Sequence, residues 1–187
     1  MNVYRTIWLQ PKKTLEKTVA QKPLQPLFIT PIIIIGLSVA LDLYPEINSF
    51  SGYEDDNYWV LLFVVPIGIG SAFLLIGYLI PSLIKLFGRI WKGQATLRQL
   101  ANVCSLSFIP SGLVLIHQAI HFSIGIDPNL DHVNEGIQFV LQLWSLGLMI
   151  IGVAIVQKFS YGMALLNILL GYLPILIIGV LWINDHR

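Results

Sequence analysis

The sequence predicts an all-α, polytopic integral membrane protein, with five transmembrane helices in a compact bundle and a cytoplasmic N-terminus. Three observations carry this. The chain is 56% hydrophobic and only 11% charged, with a mean hydropathy of +0.76, whereas a soluble domain is about a quarter charged. Its apolar residues gather into runs that match the ~20 helical residues needed to cross a ~30 Å hydrocarbon core. Its charges nearly cancel, to +1, yet they separate by sign along the chain.

Residues 1–23 form a basic N-terminal segment in which Tyr4, Ile7, Trp8, Leu15 and Val19 alternate with Arg5, Lys12, Lys13, Lys17 and Lys22. That pattern suits either a segment at headgroup level, its apolar side chains dipping inward and its lysines reaching anionic lipid, or a disordered tail whose positive charge fixes orientation, since the amphipathic pattern is short and interrupted. Pro11 divides it into two short pieces. The apolar run that follows is too long and too far along the chain for a signal-peptide core, so the N-terminus reads as mature.

The five-span domain covers residues 24–183. The first span, Leu24–Leu43, has Pro26 and Pro31 in its first turns, where a missing amide costs least, and Gly36 with Ala40 on one close-packing face. A loop over Tyr44–Asn57 carries Glu46, Glu54, Asp55 and Asp56 without a basic residue, and reads as outside. The second run, Tyr58–Leu86, is broken by Pro66 and Pro81, rich in small residues, and marked by Lys85 at its inner end. Such a run spans with tilt or kinks.

Phe87–Leu100 follows as an inner segment in which Arg89, Lys92 and Arg98 alternate with Ile90, Trp91 and Leu97, with Gly88 and Gly93 expected as bends. The third span, about Ala101–Ile124, should kink at Pro110. Acidic Gly125–Glu135 is again outside. Gly136–Val156 is the fourth span, with Gly147 and Gly152 as a small pair, Gln157–Tyr161 an inner turn, Gly162–Ile183 the fifth span, and 184–187 a short outer tail.

The topology can be checked by side. Arg5, Lys12, Lys13, Lys17, Lys22, Lys85, Arg89, Lys92, Arg98 and Lys158 all fall inside, leaving Arg187 outside, and only Glu16 among the acids is inside. Lys and Arg bias sets orientation.

Candidate chemistry is sparse. His117 and His121 stand one helical turn apart, and such a pair ligates a divalent metal when a carboxylate joins it. No recognised third ligand does, so interfacial histidines bonded to backbone, headgroup or water are the preferred reading, and no metal is assigned. Asn102, Gln118, Gln138, Gln142 and Asn167 are polar at membrane depth and read as interhelical hydrogen-bonding groups. Apart from Asp42, Lys85 and the histidines near the ends, the spans hold no ionisable residue of the kind that marks a proton-coupled carrier. The sequence contains no phosphate loop, nucleophile elbow or zinc-protease helix. The single cysteine, Cys104, forms no intramolecular disulfide or thiolate cluster. The reading is therefore non-enzymatic, with no cofactor and no nucleic acid implied.

Several short motifs recur in one order along the chain: Trp8-x-x-Pro11-x-x-Thr14, Gly93-x-x-Thr96-Leu97-Arg98-Gln99-Leu100, Ile109-Pro110, Trp144 with Gly152, and Ser160-x-x-Met163-Ala164-Leu165. In these residues the chain resembles the Yip (Ypt-interacting protein) domain family of five-span membrane proteins over nearly its whole length. Eukaryotic members typically carry a long cytosolic N-terminal region linked to Rab-type GTPases and early secretory traffic. Here about two dozen residues precede the first span, so the resemblance is to the prokaryotic branch and the Rab-binding reading falls away.

Together these readings lead to a membrane scaffold or accessory subunit of the bacterial cytoplasmic membrane, in membrane organisation, envelope stress or toxin protection, or export. Trp8, Arg89, Trp91, Lys92, Gly93 and Arg98 are the expected contacts to membrane lipid or to another membrane protein such as an export complex. Small-residue faces suit a homodimer. The competing class is a small transporter or lipid-moving permease, with kinks at Pro66, Pro110 and Pro174 opening a cavity at mid-depth.

Overall fold

The computed structural model describes residues 3–19, 26–50, 58–116, 119 and 131–185, and these hold helices and turns without a strand. His117, Gln118, His121 and Lys22 lie outside the described residues. Two short helices, α1 (Val3–Leu9) and α2 (Pro11–Thr18), precede α3 (Pro26–Phe50). After a single 3₁₀ turn come α4 (Leu61–Leu74), a π-helical turn over Leu75–Leu79, and α5 (Ile80–Gly88). A 3₁₀ turn at Arg89–Trp91 leads to α6 (Leu97–Ser107), a second at Ile109–Ser111 leads to a helical stretch over 112–116 (α7), and then come α8 (Asp131–Gln157) and α9 (Tyr161–Asp185).

Among the described residues, four helical stretches are long and apolar enough to cross a membrane: Leu61–Trp91, Leu97–Ile116, Gly136–Gln157 and Tyr161–Leu181. Phe28–Tyr44 adds a shorter apolar helix. The helices outrun the apolar runs at the outer end. α3 continues to Phe50 through residues the sequence assigns to a loop, and α8 begins at Asp131. Hydropathy marks the part of a helix that lies in hydrocarbon, and says little about where its hydrogen-bond ladder ends.

The proline breaks take distinct forms. Pro81 follows the π turn, where the Ile80 N–H donates to the Leu75 carbonyl, so the helix absorbs one extra residue just before a ring that would crowd the preceding turn. Pro110 lies in the 3₁₀ turn between α6 and α7. Pro66 and Pro174 stay inside α4 and α9.

Packing is closest where side chains are smallest. α3 and α4 meet at Gly36 and Gly68: a Cβ on Gly36 would stand 2.5 Å from the Ile69 Cα, and one on Gly68 would stand 2.4 Å from the Gly36 carbonyl oxygen and 3.0 Å from the Ala40 Cβ. Gly152 of α8 receives Val103 of α6, and Gly171 of α9 receives Ile84 of α5. Gly147, by contrast, faces open space. The main core joins Ile84, Leu100, Val103, Leu106, Leu148, Val153 and Ile168 with Ile7 and Leu15 of the N-terminal pair. A smaller cluster of Ala40, Tyr44, Val60 and Val64 closes the outer end of α3 and α4.

Polar side chains tie the N-terminal region to α6. Asn102 Nδ2 donates to the Val19 carbonyl at 3.2 Å, and the Ser105 hydroxyl donates to the Phe28 carbonyl. These are the carbonyl-seeking contacts that replace water inside a bilayer.

Candidate binding face at the inner end of the bundle

The segment between α5 and α6 is fixed at both ends. At its start the Gly93 N–H donates to the Gly88 carbonyl at 2.9 Å and the Lys92 N–H to the Arg89 carbonyl at 3.0 Å. Lys92 takes the left-handed conformation, φ 59°. Together these form a Schellman termination. Neither glycine supplies the bend: Gly88 is helical, and Lys92 makes the turn. At its end the Thr96 hydroxyl accepts from the Gln99 N–H at 3.2 Å and the Gln99 side chain accepts from the Thr96 N–H at 2.9 Å, a full capping box for α6. Leu100, next in the motif, is fully buried.

The middle is held by Gln157, the last residue of α8. Its Oε1 accepts from the Ala95 N–H at 3.2 Å. The side chain is 2% exposed, and both glycines are shaped around it. A Cβ on Gly93 would meet Gln157 Oε1 at 2.1 Å, and a Cβ on Gly88 would meet its Nε2 at 2.3 Å and Asn167 Nδ2 at 3.1 Å. Gln157 Nε2 and both polar atoms of Asn167 are buried without a hydrogen-bond partner among the described residues. Gln157 is the residue that sequence reading missed. Its place at the end of an apolar run marks it only as a turn residue, and nothing local signals a partner 62 positions away.

On this frame Arg89, Lys92 and Arg98 are exposed and Trp91 is half-buried. Gly93 lies beneath them against Gln157, so its part is close approach. α8 itself ends in a second Schellman turn, with the Phe159 N–H donating to the Ala154 carbonyl at 3.0 Å and Lys158 at φ 59°. Cations at both helix C-termini face favourable dipole ends.

Trp8 is placed elsewhere. Its ring stacks on Trp144 of α8, with centroids 6.4 Å apart and planes 6° from parallel. Trp144 stands thirteen residues before Gln157, about 20 Å along the helix at 1.5 Å per residue. The structure thus brings Arg89, Trp91, Lys92, Gly93 and Arg98 together, and puts Trp8 at a separate contact that anchors α1 to the bundle. Pro11 starts α2, and the buried Thr14 hydroxyl donates to the Gln10 carbonyl at 2.9 Å across the break between the two helices. Among the described residues no group of three His, Cys, Asp or Glu side chains is arranged to hold a metal ion.

The remaining motif residues also have architectural parts. Ser160 opens α9, its hydroxyl accepting from the Met163 N–H at 3.4 Å and its carbonyl from the Ala164 N–H at 2.9 Å. Ala164 is fully buried. No curated protein and no solved structure matches the chain. The model of the Yip1 domain matches residues 5–183, nearly the whole chain and a range that contains the motifs described above, and the protein therefore belongs to the Yip1 domain family.

Proposed function

We propose that this protein is a non-enzymatic scaffold or accessory subunit of a bacterial cytoplasmic membrane, and that its inner face docks a second membrane protein involved in membrane organisation, envelope protection or export. The observation that carries this reading is the exposure of Arg89, Lys92 and Arg98 on a segment fixed by a Schellman turn, a capping box and Gln157. A preordered face loses little conformational freedom on binding. Arg suits charge-assisted contact with carboxylates or phosphates. Positive-inside topology alone accounts for the charges, but does not require the segment that bears them to be held in one shape.

The test is a mild-detergent co-purification with mass spectrometry, comparing the wild type with an Arg89→Ala, Trp91→Ala, Arg98→Ala variant of normal membrane insertion. A membrane protein recovered with the wild type and lost from the variant is the expected result. Recovery of lipid or the chain itself alone, unchanged by the variant, overturns the reading and makes reconstituted transport the next experiment.

A further inference from the structure

The two N-terminal helices sit deeper in the bundle than a surface segment does. The apolar stretches Gly136–Gln157 and Tyr161–Leu181 have 22 and 21 residues, or about 32–33 Å of helix, which matches a ~30 Å hydrocarbon core. Their inner ends therefore mark its inner edge. The bond from the Ala95 N–H to Gln157 puts the start of α6 at the same level, so the rise along α6 and α8 gives depth. A tilt of about 20° shortens that depth by less than about a tenth.

Three contacts place the helices above this edge. The Val19 carbonyl, just past α2, accepts from Asn102, five residues or about 8 Å into α6. Tyr4 of α1 shares a small cavity with Phe108, Ile109, Pro31 and Ile34, and Phe108 stands eleven residues or about 16 Å above Leu97. Trp8 stacks on Trp144, about 20 Å up α8. α2 thus climbs from the inner third of the core toward its middle, and α1 crosses at mid-depth from α8 toward α3. An interfacial amphipathic helix ordinarily sinks only about 5–10 Å.

The outward side of the pair is polar at that depth. Arg5, Gln10, Lys12, Lys13 and Glu16 are exposed, while Ile7, Thr14, Leu15 and Thr18 are buried against the bundle. On α9, by contrast, the exposed residues at about 12 and 18 Å are Leu169 and Leu173. Arg5, beside Tyr4, is farther from the inner edge than an arginine side chain extends, so snorkelling does not return it to bulk water. A cation in intact hydrocarbon is costly, and local thinning with entry of water relieves it. α3 favours the same deformation: its apolar part, Phe28–Tyr44, is about 26 Å long, short of the core. Ser105, about 12 Å into α6, holds the Phe28 carbonyl at that height.

We infer that the outward face of α1 and α2 binds the headgroups of anionic phospholipids of the inner leaflet, drawn toward the midplane beside Arg5, Lys12 and Lys13, and so thins the bilayer along one side of the bundle. Charge selects this occupant: among the exposed side chains of the pair, Arg5, Lys12, Lys13 and Lys17 outnumber the single acid Glu16, and the leaflet that borders them supplies phosphate and water together. The face is separate from the Arg89–Arg98 segment, and the inference does not rest on what that segment docks.

The experiment uses the full chain, carrying Cys104→Ala, in nanodiscs of phosphatidylcholine and phosphatidylglycerol. A nitroxide is attached in turn through Arg5→Cys, Lys13→Cys, Leu169→Cys and Lys92→Cys, all exposed positions, and its collisions with oxygen and with a water-soluble nickel chelate are measured. Nickel accessibility through Arg5→Cys and Lys13→Cys should approach that through Lys92→Cys and exceed that through Leu169→Cys severalfold. In the unlabelled chain, phosphatidylglycerol with a photoactivatable headgroup should crosslink to Leu9 and Gln10 well above Leu169, and Lys13→Gln should lower that yield about fivefold, the worth of one charge near a lipid surface. Oxygen-only accessibility like that of Leu169→Cys, shielding from both reagents as a protein cover gives, headgroup crosslinks confined to the level of Lys92, or a yield indifferent to Lys13→Gln overturns the inference.

Discussion

The Ala95 N–H and the Gln157 Oε1, 62 positions apart in the chain and 3.2 Å apart in space, make the bond that fastens the inner segment to the end of the fourth span. Ala95 is buried, so its amide has no water to fall back on. Gln157→Leu keeps the volume and removes the acceptor, leaving a buried donor unpaired at a cost of about 1–3 kcal/mol. The loss should appear as a lower Tm in detergent, together with faster amide exchange at Ala95. Because the same substitution also removes the Gln157 Nε2, unpaired among the described residues, exchange at Ala95 decides: a rate equal to the wild type would mean that the segment is held by its two ends alone.

Lys92 and Lys158 both occupy the left-handed turn at φ 59°, a conformation that costs a residue with a Cβ roughly 1–2 kcal/mol and glycine nothing. Lys92→Gly and Lys158→Gly should therefore each raise stability by up to about 1 kcal/mol, the gain in the turn being offset partly by the lost cation at a helix C-terminus. Thermal unfolding of both variants checks this. If the lysines are kept for contact, Lys92→Gly should also weaken recovery of the partner while raising Tm, an opposition that a purely structural residue does not produce.

Much of this architecture is legible in the sequence because a bilayer constrains it so strongly. Apolar length gives the spans, and the bias of Lys and Arg gives the direction expected of them. The Gly36–Ala40 face is readable from its spacing, and Gly68 indeed meets it. Spacing alone does not separate a glycine in contact from one facing lipid: Gly152 receives Val103, while Gly147 faces open space. At the inner face, the Thr96–Gln99 capping box is local and readable in principle. Gln157 is not, because its partner is set by how α8 approaches the segment after α6. Glycine at 93 likewise looks like a bend in sequence, yet it serves close approach, with the bend placed one residue earlier on Lys92.

The Trp8–Trp144 stack joins a short amphipathic helix to a membrane span, and α1 is too short to hold its shape alone. Stacked aromatic pairs contribute about 0.5–1.5 kcal/mol beyond area burial. A double-mutant cycle of Trp8→Leu and Trp144→Leu, read by thermal unfolding, should give a coupling energy in that range. Additive losses would show two independent contacts. Trp8→Leu should also raise proteolysis at Arg5 and Lys12, both exposed on the N-terminal helices, as α1 leaves α8.

The sharpest contrast between neighbouring substitutions lies among the glycines of the spans. Gly36 and Gly68 let the α3 and α4 backbones touch, and a methyl group at either position would press within 2.6 Å of backbone atoms, Ile69 Cα at 2.5 Å and the Gly36 oxygen at 2.4 Å. Backbone cannot step aside as a side chain can, so Gly36→Ala and Gly68→Ala must separate the two helices and loosen the outer cluster of Ala40, Tyr44, Val60 and Val64. Overpacking of this kind costs about 1–3 kcal/mol. Gly147→Ala, in open space, should instead stabilise α8 by up to about 1 kcal/mol, because glycine inside a helix is entropically unfavourable. Thermal unfolding of the three variants in one detergent decides the matter. If Gly147→Ala proves as damaging as Gly36→Ala, that face of α8 meets another surface in the membrane, and a second copy of this chain becomes the first partner to test by crosslinking.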